Sequence, residues 1–425
     1  MRFKIKLLSI FTSLIFVFLF AIFISYLSHP VSAQKENSND HVPGQVLVKF
    51  KQSIPQQEID KQLRGIRVQI IDKIDLIDVL VLRVPEAAED QVINALSKNP
   101  NIEFAELDYI ATAFSNDTNF GLQWGLENTG QIVNGVVGVP DADINAPEAW
   151  TLASDNAPIV AILDTGINER HLDLVGKFLA VSKDYTNSKS GTMDVYGHGT
   201  HVAGIVTANT NNDKGVAGVC PQCLLLNVKV LNDSGSGSYS NIAKGIAYAA
   251  SNGAKVINMS LGGSTKSSTL ENAVNTAWNN GVVIVAAAGN SNNPSKTYPA
   301  AYTNVIAVAA TDNTDHKASF SSYGAKWVDI AAPGVYIYST WKNSTSANKP
   351  YPVCDSAGTE CYKYASGTSM ATPIVAGVAG LVWAANPDQS QTSVRSRIES
   401  TADIITGTGT YWSSGRVNAA NAVTP

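Results

Sequence analysis

Cysteine, methionine and charge are all scarce in this chain. Its 425 residues include four cysteines and four methionines, and 15% are charged. The 30 basic residues stand against 35 acidic ones, a formal net charge of −5. With no Lys/Arg cluster and a pI near 5.7, nucleic acid is excluded as a main partner. Mild acidity suits solubility and cation binding instead. There is no H-E-x-x-H, which weighs against a zinc reading of the paired histidines. Little charge does not mean disorder here. A hydrophobic content of 44% supplies a large buried core.

One long apolar run is present, Leu7 to Leu27, behind a basic start of Arg2, Lys4 and Lys6. Pro30 and Val31-Ser32-Ala33 follow, so residues 1–33 read as a signal peptide cleaved before Gln34. The run is also long enough to span a bilayer, leaving an uncleaved signal anchor as the alternative. Either way the rest of the chain leaves the cytoplasm, and the expected product is secreted. The cysteines form two local pairs, Cys220 with Cys223 and Cys354 with Cys361. In an exported protein these read as two short-range disulfides. A redox-active C-x-x-C or half of a zinc site is the other reading of the first pair. No second pair at zinc-finger spacing accompanies it.

Residues 34–113 read as a linker and a small α+β unit. Gln45 to Phe50 alternates like a strand, and Gln56 to Leu63 suits a helix. Leu76 to Val84 reads as strand, Glu86 to Lys98 as an amphipathic helix, and Ile102 to Ile110 as a last strand. The order suggests a ferredoxin-like sandwich. From about Phe114 the pattern changes. Strand-like runs at 159–163, 224–231, 256–261, 282–288, 305–310 and 328–331 are apolar on both faces. Helix-like segments at 198–208, 240–252 and 269–280 separate several of them. This predicts an α/β fold, a three-layer parallel sheet with helices on both faces. Lys342 to Tyr362 reads as a polar surface loop. Sites in such sheets form at the carboxyl ends of strands, where Asp164 and Asn290 fall.

Three motifs carry chemistry. Gly367-Thr368-Ser369-Met370-Ala371-Thr372-Pro373 puts a serine between small residues at a helix start, with a proline expected in the first turn. Asp164 lies in Ala161-Ile-Leu-Asp164-Thr-Gly166, and His198 in Gly197-His198-Gly-Thr-His201. A serine hydroxyl needs a base, and the base needs an orienting carboxylate. Each motif alone has a plain reading: a serine cap, a turn-forming aspartate, a packed histidine. Together they resemble the subtilisin-like serine proteases, the thermitase-like branch most closely. A lipase or esterase would want a G-x-S-x-G elbow and a different order of residues.

The resemblance implies a serine endopeptidase precursor with Ser369 as nucleophile, His198 as base and Asp164 orienting the imidazole. His201 is expected to pack internally. Residues 34–113 resemble the family's propeptides, an intramolecular inhibitor removed by self-cleavage between Tyr109 and Asn116. The catalytic domain then runs from 114 to 425. Asn290 would donate to the oxyanion together with the Ser369 N–H. Gly235-Ser236-Gly237 and Ser260-Leu261-Gly262 look like the strands that hold an extended protein or peptide substrate. Ala287, Gly289, Gly262 and, at the floor, Thr297 would form an S1 pocket for a large apolar or aromatic residue. Calcium is the implied cofactor, held by Asp117, Asp173 and Asn212 with carbonyls of Asn209, Lys214 and Val216. A weaker ion site would use carbonyls of Ala300, Tyr302 and Val305 with Asp329. The product is expected to be a monomer that meets the membrane only through its signal segment.

The chain also departs from the family pattern. In the loop before His198, Asp184 remains, but Asn187, Lys189, Gly191 and Met193 fill the other positions of a second calcium site, so that site is expected to be lost. Ile374 stands where histidine is usual and Val202 where cysteine is frequent. A catalytically silent binding protein is the competing reading, disfavoured because all three triad positions and Asn290 are present.

Overall fold

The computed structural model describes residues 41–425, apart from 52–53, 67, 86, 110–114, 153, 155, 180, 344–352, 356–357, 359 and 425. The signal peptide, the linker and the middle of the expected cleavage stretch lie outside the described residues. The chain divides into two compact units, Met1–Ala111 and Thr112–Pro425.

The first unit runs β1 (His41–Phe50), α1 (Gln56–Gly65), β2 (Gln69–Ile74), β3 (Val79–Arg83), α2 (Glu89–Ser97) and β4 (Ile102–Tyr109). Its antiparallel sheet has the order β2-β3-β1-β4. Alternation along β1 sends Val46, Val48 and Phe50 into a core with Leu63, Leu82, Leu96 and Ile102. β2 was not expected. It is an edge strand with every residue exposed, so no alternation marks it. Leu76, read as the start of a strand, sits in the β2–β3 turn and is 96% exposed.

The second unit opens with a hairpin, β5 (Ile132–Val133) and β6 (Val136–Val137), then α3 (Ala146–Leu152). There follow β7 (Ile159–Asp164), β8 (Lys183–Asp184), α4 (His198–Thr207), β9 (Leu224–Lys229), α5 (Tyr239–Ser251), β10 (Val256–Met259), α6 (Ser268–Asn279), β11 (Val283–Ala287), β12 (Ile306–Thr311) and β13 (Ile330–Pro333). These strands form a seven-stranded parallel sheet, β13-β12-β11-β10-β7-β9-β8. Strand residues alternate between two cores. Val160, Ile162, Val283 and Val285 face one, and Ala161, Leu163, Ile284 and Ala286 the other. Burial on both faces is why these strands read as unbroken apolar runs.

A small antiparallel sheet follows, of β14 (Ile337–Trp341), β15 (Val353–Cys354) and β16 (Cys361–Ala365), and then α7 (Thr368–Ala385), α8 (Gln391–Ser400) and α9 (Ala419–Val423). The predicted surface loop 342–362 thus ends in strand. Its Cys361 and Tyr362 are buried because β16 pairs with β14. Cys354 bonds Cys361 and Cys220 bonds Cys223. The second of these pairs is wholly buried against Gly380 of α7, where an added Cβ would meet Cys223 Sγ at 2.4 Å. That leaves it no access for redox exchange. Among the described residues no group of three or more His, Cys, Asp or Glu could hold a metal, so a zinc half-site has no complement.

Helix α7 is buried nearly all round and fills the first core with Met370, Ile374, Val375, Val378, Leu381 and Val382. Among the described residues it alone is long and apolar enough to cross a membrane, but it is a core helix. Pro373 is its sixth residue, not part of its first turn as the sequence suggested.

Candidate active site

Three element ends at the carboxyl edge of the sheet carry the expected chemistry. Asp164 ends β7, His198 opens α4, and Ser369 is the second residue of α7. His198 Nδ1 lies 2.8 Å from Asp164 Oδ1 and 3.0 Å from Oδ2. Asp164 is fully buried, while the imidazole stays 22% exposed and open to the groove. Burial alone would depress the imidazole pKa. The charge and hydrogen bond of Asp164 outweigh it, and the pKa stands above the ordinary histidine value. α4 approaches β7 closely because its second residue is glycine. A Cβ on Gly199 would lie 2.1 Å from the Gly166 carbonyl and 3.2 Å from Asp164 Cβ.

Ser369 does not hydrogen-bond to His198. Its hydroxyl donates to the Ser260 carbonyl at 3.2 Å, a resting arrangement from which a change of side-chain torsion frees it. Pro373 explains a second link to Ser260. A proline has no N–H for the carbonyl four residues back, here that of Ser369. Ser260 Oγ donates to that carbonyl instead, at 2.8 Å, and Asn258 Nδ2 in turn donates to Ser260 Oγ at 3.1 Å. The Ser369 N–H, in the first helical turn, has no intrahelical acceptor.

Asn290 follows β11 and Gly289, whose φ is +104°. Its Oδ1 accepts the Thr368 N–H at 2.9 Å and the Thr368 hydroxyl at 3.0 Å. With the amide oxygen so occupied, Nδ2 is the group left for a ligand. Thr368 Oγ1 also accepts the Gly289 N–H at 3.1 Å, tying α7 to the strand that leads to Asn290.

Two depressions flank these residues. One, of about 380 Å³, is lined by Gly235, Ser236, Gly237, His198, Ser260, Leu261 and Gly262. The other, of about 430 Å³, is lined by Gly262, Ala287, Gly289, Asn290, Thr297, Thr368 and Ser369. Thr297 sits against both glycines: added Cβ atoms would fall 2.6 Å from it at Gly262 and 3.1 Å at Gly289. The structure therefore groups all nine expected substrate residues. It adds Tyr196, Leu231, Tyr239 and Ile242 in the first depression and Lys296 and Ser322 in the second. Tyr196 stands two residues before His198, a signal that was available in the sequence. The others have no local signature.

Comparison with known proteins accords with this geometry. The profile of the subtilase family matches residues 155–421, more than half of the chain. The chain belongs to the subtilase family. It is a serine endopeptidase of the subtilisin type. The fervidolysin N-terminal prodomain profile matches residues 28–108 of this subtilase, so a propeptide domain precedes the catalytic fold. Thermitase of Thermoactinomyces vulgaris is 51% identical over 280 residues, 66% of this chain and 93% of the relative. A thermophilic serine proteinase of a Bacillus strain is 41% identical over 388 residues, 90% of this chain and 88% of the relative. A solved protease structure from Pseudoalteromonas arctica matches with a TM-score of 0.62 at 34% identity, over 73% of this chain and 99% of that one.

The expected calcium residues of the subtilase do converge. Asp117 and Asp173 are buried carboxylates beside the loop 209–216. Asp117 accepts the N–H groups of Asn211 and Asn212, each at 3.0 Å. Asp173 accepts Asn212 Nδ2 and the Val216 N–H, each at 2.9 Å. Burial lifts Asp173 to about 6, with the Asp117 charge adding to the rise. The Gly215 backbone passes so near that a Cβ would lie 2.3 Å from Asp173 Oδ2. The carbonyls of Asn209, Lys214 and Val216 take no hydrogen bond from any described residue. Two carboxylates, an amide and three free carbonyls are an oxygen set that suits Ca²⁺.

The weaker ion site fares differently. Arg395 pairs with its carboxylate, with Nη2 3.1 Å from Asp329 Oδ1 and Nη1 donating to the Thr303 carbonyl. The Tyr302 carbonyl is taken by the Val305 N–H. In the altered loop before His198, Asp184 is turned onto its own loop, accepting from Thr186 N, Thr186 Oγ1 and Ser188 N. Ile374 and Val202 are fully buried. His201 is buried too, its Nε2 donating to the Lys363 carbonyl, and burial drives its pKa down to about 3. It is a neutral packing residue.

Proposed function

We propose that this subtilase is a secreted precursor that removes its own propeptide and then cuts exposed protein chains through Asp164, His198 and Ser369. The Asp164–His198 contact beside Ser369 carries this reading. Ser369 Oγ attacks the scissile carbonyl while His198 Nε2 takes its proton. Asp164 holds the Nδ1–H tautomer and stabilises the imidazolium. Asn290 Nδ2 and the Ser369 N–H receive the negative oxygen. His198 then protonates the leaving amine, and water releases the acyl group.

The substrate lies extended between segments 235–237 and 260–262. The glycine-walled depression over Thr297 takes a large apolar or aromatic side chain. No acidic residue lines it, so strict Lys or Arg preference is not expected. Residues 1–33 form the signal peptide, 34–113 the propeptide with its linker, and 114–425 the catalytic domain, which works as a monomer. Asp117, Asp173, Asn212 and the three loop carbonyls hold calcium, which supplies loop rigidity and no step of the chemistry.

The test compares secreted wild type with Ser369→Ala by intact mass and N-terminal sequencing, with casein hydrolysis and a serine-directed inhibitor on both. The expected wild type starts near Phe114 and cleaves casein until inhibited, while the variant keeps its propeptide. A Ser369→Ala protein that matures without added protease would falsify self-processing through Ser369.

A further inference from the structure

Asp194 lies four residues ahead of His198 and is 3% exposed. Its carboxylate accepts five hydrogen bonds. Oδ1 takes Thr165 Oγ1 and the Tyr196 N–H at 3.0 Å and the Gly197 N–H at 2.7 Å. Oδ2 takes the N–H and the hydroxyl of Thr200 at 2.9 and 2.7 Å. Both hydroxyls work twice. Thr165 Oγ1 also accepts the Gly199 N–H at 2.9 Å, and Thr200 Oγ1 accepts the Asn168 N–H at 3.0 Å. Thr165 and Asn168 belong to the segment that leaves β7 just after Asp164. Gly197, Gly199 and Thr200 surround His198 at the start of α4. One buried carboxylate thus joins the segment carrying the acid to the segment carrying the base.

Ordinary helix capping does not call for this. Helices α5, α6 and α8 are each capped by a single serine hydroxyl, from Ser238, Ser267 and Ser390. α4 starts instead from Gly197, which has no side chain to cap with and a φ of +109°. The capping oxygens come from Asp194, and no described Lys, Arg or His forms an ion pair with it.

We propose that Asp194 is a positioning residue for proteolysis, fixing the Asp164–His198 separation and placing a second negative charge behind the imidazolium that forms during reaction. This rests on the triad reading above. All five donors point at the carboxylate, so an amide in its place would turn an NH₂ toward at least one of them. The titratable groups facing His198 are Asp164 from β7, Asp194 from the entering loop and, on its own helix, His201, which is neutral. Lys229 of β9 lies behind, its Nζ on the Thr165 carbonyl and paired with Asp233 at 3.1 Å. Asp194 is among the groups that raise the His198 pKa, after Asp164.

The experiment compares Asp194→Asn with Thr165→Val, which keeps the charge but removes one of the five bonds. For Asp194→Asn the expected result is a fall in kcat of about tenfold to a hundredfold with KM within about twofold. The acid limb of kcat/KM moves to lower pH by roughly one unit. Thr165→Val lowers kcat and leaves the limb in place. Should Asp194→Asn fail to mature, the His198 imidazole is titrated by NMR in full-length Ser369→Ala, with and without Asp194→Asn. An imidazole pKa that falls with Asp194→Asn supports the assignment. An unmoved imidazole, or an unmoved limb with kcat and KM changing together, overturns it and leaves a structural cap. Activity persisting in Ser369→Ala is a separate result that removes the triad reading instead.

Discussion

His198 Nδ1 sits between both oxygens of Asp164, 2.8 Å from one and 3.0 Å from the other, and that carboxylate has no exposed surface. The acid also accepts the Thr165 N–H at 2.7 Å, which fixes its plane. Asp164→Asn keeps the shape but permits the wrong imidazole tautomer. The expected loss in kcat is about 10⁴-fold with the fold intact. Steady-state kinetics beside a melting curve checks this; a loss under tenfold would show that Asp164 does not orient the base.

As the proposed base, His198 must be neutral to accept the serine proton. Because the folded protein raises the His198 pKa, activity is full at pH values above it and falls as pH drops through a value above the ordinary histidine range near 6.5. A kcat/KM profile between pH 5 and 9 reads the limb directly. A limb below pH 6 would contradict the geometry.

Asn290→Leu removes the amide that Thr368 orients. We expect kcat to fall by about 10²–10³ with little change in KM, since the oxyanion exists only in the transition state. Asn290→Asp keeps the acceptor for Thr368 and loses the donor, so it should lose as much. If the leucine variant alone were impaired, packing around Thr368 would be the cause.

Asp143 links stability to pH in the opposite sense from an ordinary ion-paired carboxylate. Burial lifts it to about 7, against the pull of the Asn145 and Asn128 N–H groups. Its folded pKa exceeds the unfolded value near 3.9, so its stabilising share is complete below pH 4 and is lost as pH rises through 7. Asp143→Asn should remove that slope, so its Tm falls furthest below that of the wild type near pH 4 and the gap narrows as pH rises through 7. Calorimetry from pH 4 to 9, in Ser369→Ala to prevent self-digestion, compares the two slopes. Parallel curves would refute the assignment.

Chelation should shorten the thermal half-life of the mature enzyme before it lowers initial activity at low temperature. Loss of bound ion leaves Asp117 and Asp173 in a buried loop without their cation, remote in role from the acyl transfer. Asp173→Asn should reproduce the loss and make the half-life insensitive to EDTA. A wild-type half-life unchanged by EDTA would remove calcium from the account.

Much of this was legible because the proposed triad residues sit at element ends. Asp164, His198 and Ser369 each lie within a short run of small residues where strand or helix begins or stops, and local pattern records such junctions well. The parallel sheet was legible for a related reason, since burial on both faces leaves apolar runs such as 282–288. Elsewhere the local pattern was silent. β2 has no buried face. Arg395 reaches Asp329 across 66 positions of sequence, and no motif announces that pairing. The replacement of the Pro373 donor by Ser260 depends on two segments 109 residues apart. The resting hydroxyl of Ser369, turned to Ser260 rather than His198, is a matter of one torsion angle that no sequence pattern encodes.

Ser369, the proposed nucleophile, rides on α7, which has almost no exposed side. Amide hydrogens near the helix start should therefore exchange only through opening of the whole domain, not by local fraying. Such an enzyme has little room to soften by degrees at its reacting centre. Heating should leave the rate per intact molecule nearly constant while the number of intact molecules declines, and the first self-inflicted cuts should fall in exposed loops far from Ser369.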